Sequence, residues 1–314
     1  MNISMREIFG KTLAEIGKTN KQLVVLDADC SVSTKTSFFG AEFPERFFNF
    51  GIAEANMVSA AAGFSVSGFV PVVSTFAFLL SLRAGDQVRS QIAHSRLNVK
   101  LAGGYSGLSD FADGSSHQSV ADIAVMRALP NMTVIAPGDI IETREALKTA
   151  IEYKGPVYLR LSRNEVEEIL PSDYNFKIGK AVIVREGGDV SIFTTGTMLK
   201  QGVEAAIGLG KKGISAELVH FPTIKPIDEA ALEKSLRKTG AAVTIEEHNI
   251  IGGFGSAVAE QVVKGGTFPV EMIGLCDCFG ESGDLKGLYE KHGLTAKKIC
   301  EAAEKVIKKK LSGH

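Results

Sequence analysis

The chain has 314 residues, a formal net charge of −1, 45% hydrophobic and 23% charged residues. This length predicts about two domains, and the composition is that of an ordinary globular chain with enough apolar side chains for a sizeable core. A charge so close to zero gives no reason to expect nucleic acid or an anionic membrane as a partner.

Short apolar runs alternate with helix-length segments along the chain. Residues 23–26 form the first expected strand and run into Asp27 and Asp29. Residues 48–50 read as a short strand, Gly51 as a turn, and a helix then opens with Glu54 in its first turn. The 28 residues from 55 to 82 carry no charge. That run could span a bilayer by count, but its five Ser, two Gly and Pro71 break it at Gly68-Phe69-Val70-Pro71 into helix, turn and strand of a buried core. The strand 70–75 leads into a second helix through Arg83 and Gln91. Residues 98–101 lead into a glycine-rich loop, 133–136 end at Pro137, and 157–161 end at Ser162-Arg163. Apolar runs separated by helices predict a parallel sheet covered on both faces. Open sheets of this kind bind ligands beyond their strand ends, where Asp27, Asp29, Gly51, Tyr105, Asp139 and Arg163 fall.

Residues 166–188 change character, with an acidic patch, Pro171-Ser172-Asp173-Tyr174 and Glu186-Gly187-Gly188, and read as a linker. The alternation then restarts, with strands expected at 190–193, 216–219, 241–245 and 270–273 and helices at 199–211, 254–263 and the C-terminus. The expectation is α/β throughout: a doubly wound, mostly parallel first domain over 1–165 and a smaller doubly wound second domain over 189–314. Lys308-Lys309-Lys310 reads as a solvated helix end. The cysteines, Cys30, Cys276, Cys278 and Cys300, lack the paired spacing of a metal set and read as free thiols. With no apolar signal-peptide core in Met1-Asn2-Ile3-Ser4-Met5-Arg6-Glu7, the expected location is cytoplasmic.

Two constellations can carry chemistry. Glu54 heads a long uncharged segment, and burial there would favour the protonated carboxyl that a donor or relay needs near neutrality; the alternative is a surface carboxylate complementing a helix N-terminus. The loop 103–118 is long and rich in Gly, Ser and Asp, which marks it as functional or disordered. Within it Asp113 and His117 can meet across one turn, the alternative for His117 being a helix-start neighbour satisfied by backbone. The glycines of Gly252-Gly253-Phe254-Gly255 lack a third Gly in dinucleotide register and are not read as a nucleotide site. No Gly-x-Ser-x-Gly elbow supports a serine hydrolase, and His248 reads as structural.

Gly51-Ile52-Ala53-Glu54-Ala55-Asn56-Met57 resembles the signature of transketolase-like thiamine diphosphate enzymes. Asp113-Gly114-Ser115-Ser116-His117-Gln118 followed by Leu129-Pro130-Asn131 resembles their Asp-Gly-x-x-His-Gln and Leu-Pro-Asn segments. The resemblance covers essentially the whole chain and implies a pyrimidine-binding domain followed by a transketolase C-terminal domain. It implies that Glu54 bonds the cofactor's aminopyrimidine ring nitrogen and shares the proton that lets the cofactor form its nucleophile. It implies further that Phe76 packs on that ring, with Leu79 at the next family aromatic position and Phe78 able to serve only if the helix shifts register. Asp29 is placed beside the cofactor. Asp113 and His117 would bond substrate hydroxyls, and Arg163, Ser33 and Arg6 a phosphate, for which a guanidinium fork is geometrically suited; taken singly, such arginines read as solvated surface residues. One departure is Tyr105, where transketolases usually have His; Tyr does not titrate near neutrality.

None of the four Gly-Asp pairs is followed by Gly, as the family's Mg²⁺-diphosphate segment requires. The resemblance therefore implies one subunit of a split transketolase, which self-associates as a dimer and pairs with a separate N-terminal subunit holding Mg²⁺. The reaction implied is two-carbon ketol transfer between sugar phosphates. The β-type subunit of a 2-oxoacid dehydrogenase, deoxyxylulose-phosphate synthase (which usually has Arg where Ser106 stands) and a non-catalytic regulatory subunit are the competing readings.

Overall fold

Strands Leu23–Asp27, Lys100–Gly104 and Val157–Arg160 are buried along their whole length, and Val70–Phe76 to its last residue. Strands hidden on both faces need helices on both sides, and that is how the first half of the computed structural model, which describes residues 3–312, is built. Its seven-stranded sheet runs in the order Thr223–Lys225, Thr133–Ile135, Val157–Arg160, Lys100–Gly104, Val70–Phe76, Leu23–Asp27, Phe47–Asn49. Every pairing is parallel except at the Thr223–Lys225 edge, which is antiparallel. A second, five-stranded sheet has the order Val270–Leu275, Ala242–Asn249, Val190–Thr194, Ala216–His220, Val182–Arg185, again parallel but for its last strand. Two α/β layers thus follow each other as the alternation in the sequence predicts.

Helix starts are set by local chemistry. Ser4 caps Met5–Thr19 by accepting from the Glu7 amide at 3.3 Å, and Asp139 caps Ile140–Glu152 by accepting from Glu142 at 2.8 Å. Each satisfies an amide that the helix leaves unpaired. Met5–Thr19 turns Ile8, Phe9 and Leu13 inward and packs against Ile140–Glu152. No helix among the described residues is long and apolar enough to cross a membrane.

The structure differs from the sequence expectation in three places. The segment 166–188 contains strand Val182–Arg185, an edge of the second sheet, and just before it Glu165–Val166 pairs with Ile3–Ser4. Thr223–Lys225, from the second half of the chain, completes the first sheet. The expected second helix is not regular: wide π-type turns at Leu79–Arg83 and Val88–Ala93 flank a short α-turn at Gly85–Gln87. Such widened turns shift side-chain register and collect at functional sites.

The two halves are joined by a buried ionic network. Arg160, at the end of its strand, donates from Nε to Asp122 Oδ2 at 2.8 Å and from Nη2 to the Glu247 carbonyl at 2.9 Å. The Tyr158 hydroxyl donates to the same Asp122 oxygen at 2.7 Å. Burial works against the Asp122 charge, but the Arg160 charge, with hydrogen bonds from Arg160 and Tyr158, holds its carboxyl below the usual range. His248, whose pKa burial depresses to about 4, is neutral here; its Nε2 accepts from the Ala124 amide at 3.4 Å while Nδ1 donates to the Asn249 carbonyl at 2.6 Å. The Glu247 carboxylate accepts from the Leu108 amide at 2.9 Å and the Thr197 hydroxyl at 3.0 Å.

Replacing Asp122 with Ala leaves the Arg160 guanidinium buried without a counter-charge, and the expected loss is about 3–5 kcal/mol in urea denaturation; a loss below about 1 kcal/mol would show that the pair is not a structural support. Because the folded-state pKa of Asp122 is depressed, its contribution is present above the unfolded carboxylate pKa. It is lost as pH falls through the folded value.

Candidate active site

The expected site residues lie at or beyond the carboxyl ends of strands of the first sheet, at one end of it. The turn before Glu54 is built by Asn49, whose side-chain oxygen accepts from the Asp29 amide at 3.1 Å and the Gly51 amide at 3.0 Å. Asn49 Nδ2 donates back to the Asp29 carboxylate at 3.2 Å. Gly51 takes φ +67°, a left-handed conformation that glycine adopts without strain. Asp29 therefore sits at the rim as a brace for the turn that delivers Glu54.

Glu54 is 1% exposed at the first position of helix Glu54–Val66. Its two oxygens accept from Arg83 Nη1 at 3.2 and 3.1 Å. The Arg83 side chain is 52% exposed, so the pair runs from the interior to the surface. Arg83, delivered by the first widened turn, has no counterpart in the sequence reading. Its only signal there was that it ends the uncharged stretch.

Phe76 forms the centre of an aromatic wall, with its ring centroid 4.4 Å from Tyr105, 6.4 Å from Phe78 and 5.9 Å from His117. Phe78 also lies 5.9 Å from His117, edge-on. Phe78 is thus the second phenylalanine in the cluster, while Leu79, expected at the aromatic position, is buried at the start of the widened turn. The widened turn begins only after Phe78, so Phe78 comes just after Phe76 at the strand end.

Tyr105 is held in a left-handed backbone conformation, φ +58°, rare for a residue with a large side chain. Its hydroxyl accepts from Arg6 Nη1 at 2.6 Å, and the same nitrogen donates to the Ser33 carbonyl at 3.0 Å. The Arg6 and Arg163 guanidiniums lie 5.6 and 5.3 Å from the Tyr105 ring centroid. Two of the three expected anion-binding residues, Arg6 and Arg163, therefore converge on Tyr105, and the third, Ser33, is tied to Arg6 through its backbone carbonyl. Arg163 also donates from Nη1 to Asp110 Oδ1 at 2.6 Å. Burial, reinforced by the neighbouring Asp113 carboxyl, pushes the Asp110 carboxyl up against the pull of Arg163.

Asp113 and His117 do not meet. His117 Nδ1 is 2.9 Å from the Ser116 hydroxyl and its ring faces Phe76 and Phe78, whereas Asp113 is exposed and faces Asp110. The 3-10 turn Gly114–Ser116 lies between them, and no hydrogen bond joins the two side chains among the described residues. Gly114, at φ +76°, leaves no room for a Cβ against Ser282, which anchors this turn on the second half of the chain. Cys30, the thiol nearest the site, is pushed up to about 12 by burial and by Asp27, which makes it a poor nucleophile.

The buried Glu54 carboxylate has the chemistry to meet the ring nitrogen of an aminopyrimidine. Arg83 Nη1 is the single donor recorded to the carboxylate among the described residues, so acceptor capacity remains. Phe76 and Phe78 supply flat apolar surface at the same strand end.

The chain matches the family description "Transketolase, pyrimidine binding domain" over residues 1–168 and "Transketolase, C-terminal domain" over residues 179–299. A protein named "Putative transketolase C-terminal section" from Methanocaldococcus jannaschii is 44% identical over 97% of this chain and 96% of its own length. A 6-deoxy-6-sulfo-D-fructose transketolase subunit from Clostridium sp. (strain MSTE9) is 40% identical over 98% of this chain and 95% of its own. Among solved structures, one titled "Split gene transketolase, inactive beta4 tetramer" superposes with a TM-score of 0.90 at 45% identity, covering 98% of this chain and 99% of that one. With both domain types matched in order, and the expected motif residues gathered at one sheet end, the chain belongs to the transketolase family.

Proposed function

We propose that this chain is the C-terminal subunit of a split transketolase, moving a two-carbon ketol unit between ketose and aldose phosphates with thiamine diphosphate. The observation that carries this reading is Glu54, buried at the head of its helix at the same end of the parallel sheet as the Phe76–Phe78 wall. Family membership implies thiamine diphosphate as cofactor. The relatives' names support a separate partner, since one is called a C-terminal section and another a subunit.

When bound, the cofactor supplies the nucleophilic carbon for the transfer. Glu54 would hold a proton at the ring nitrogen of the aminopyrimidine, with Arg83 keeping a positive charge beside the carboxylate. Phe76 and Phe78 would cover a ring face and exclude water, with Leu79 behind them and Asp29 bracing the turn. Asp113 and His117 would bond substrate hydroxyls from the two sides of the 114–116 turn. Arg6, Ser33 and Arg163 would hold the distal phosphate, where fork-shaped, permanently charged donors suit phosphate oxygens. The partner N-terminal subunit would supply Mg²⁺ and the diphosphate contacts, and this chain would self-associate as a dimer within a heterotetramer in the cytoplasm.

Two-carbon transfer from xylulose 5-phosphate to ribose 5-phosphate, with thiamine diphosphate and Mg²⁺, is expected only when this chain is mixed with its N-terminal partner. Turnover by the chain alone would refute the split arrangement. In the assembled enzyme Glu54→Gln is expected to lower kcat about 10²–10⁴-fold, the usual range for losing a general acid–base group; unchanged ketol transfer would remove Glu54 from the mechanism. Arg83→Leu leaves the buried Glu54 carboxylate without its partner. Its expected effect on the cofactor-free chain is a loss of about 1–3 kcal/mol, read from the urea midpoint.

A further inference from the structure

Asp110 stands out among the residues around Tyr105. Its side chain is fully buried, its Oδ1 holds Arg163 at 2.6 Å, and its Oδ2 is buried without a hydrogen-bond partner. The loop around it is fixed from several directions. The Arg163 amide donates to the Ser109 hydroxyl at 3.2 Å, the Ser109 hydroxyl donates to the Ser106 carbonyl at 2.6 Å, and Gln118 Nε2 donates to the Asp110 and Glu281 carbonyls at 3.4 and 3.0 Å. Arg163 is therefore gripped by a carboxylate that the loop cannot easily withdraw. Arg6 approaches the same tyrosine ring from its own helix, and its Nε is likewise buried and without a partner.

Two guanidiniums meet at a single ring, with the buried Asp110 carboxyl behind Arg163 and the exposed Asp113 carboxyl beside Asp110, so acidic groups offset the positive charge at this end of the sheet. An incoming dianion would gain from Arg6 and Arg163 but would also meet the field of Asp110. A monoanion or a hydroxyl would lose less. A residue that only braced the loop would have no such dependence on ligand charge.

We propose that Asp110 is a positioning residue that sets specificity, holding Arg163 from behind so that the distal end of the substrate site accepts sugars ending in a monoanionic or uncharged group alongside phosphate dianions. The assignment rests on the ketol-transfer reading above. It concerns the range of substrates, not the chemistry at the cofactor.

The test is made on the enzyme assembled from this chain and its N-terminal partner, at pH 8, with three aldose acceptors of equal length: ribose 5-phosphate, the matching 5-sulfonate and ribose. In Asp110→Asn the ratio of kcat/KM for the phosphate over that for the sulfonate and over that for ribose is expected to rise about 5–50-fold, mainly through a lower KM for the phosphate. Asp110→Glu, which keeps the charge, is expected to retain the wild-type ratios and so separates charge from packing. Unchanged ratios in an active Asp110→Asn enzyme, or an equal fall for all three acceptors, would overturn the assignment and leave Asp110 a loop brace. If the wild-type assembly transfers nothing to any of the three, the ketol-transfer reading itself fails and the assignment falls with it.

Discussion

A guanidinium at the junction of the two sheets governs much of this molecule. Arg160 is 5% exposed, and a charge in such a place must be paired and fully hydrogen-bonded to be tolerated. Asp122 supplies the counter-charge, Tyr158 shares its oxygen, and the carbonyls of Ser119 and Glu247 accept from Nη2. Those partners come from the strand end, the helix after the glycine-rich loop, and the central region of the second sheet. One buried charge thereby fixes the relation between the two layers.

The loop carrying Tyr105, Asp110, Asp113 and His117 inherits its shape from that junction. Glu247 holds the Leu108 amide, and Gly107, at φ +62°, lies so close to the Glu247 side chain that a Cβ would collide with it. Farther along, the Gly283 amide donates to the Phe111 carbonyl at 2.9 Å. The loop is long, yet its backbone is pinned at both ends by the second half of the chain. A long loop fixed in this way can present charged side chains in a set order, which a mobile one cannot.

Much of the fold was legible because its signals are local and repetitive. Alternating apolar runs and helices announced two α/β layers, and the uncharged stretch after Glu54 announced a buried carboxylate. What stayed hidden depended on distant partners. Thr223–Lys225 is three residues long and has no periodicity to read. Arg83 reaches Glu54 from 29 positions away through a turn whose widening no residue pattern foretold. The pairing of Arg163 with Asp110 spans 53 positions, and Asp110 sits in a loop where acidic residues are common. The family spacing pointed to Leu79, whereas the ring beside Phe76 and His117 is that of Phe78, a neighbour that spacing alone does not show. Asp113 and His117 lay at a spacing suited to contact, but the structure gives them different neighbours, Asp110 for the first and Ser116, Phe76 and Phe78 for the second.

The edge strand Thr223–Lys225 has a bearing on where such a chain can be cut. Thr133–Ile135 is flanked on one side by Val157–Arg160 and on the other by this short antiparallel strand, whose residues come from the second half of the sequence. Severing the polypeptide in the stretch between the two layers would strip that cover and expose a row of unpaired amides and carbonyls. Bare sheet edges recruit other chains. The first layer on its own would therefore be expected to be adhesive, whatever the integrity of its interior. A break in the chain between the two layers would carry that hazard for the first of them.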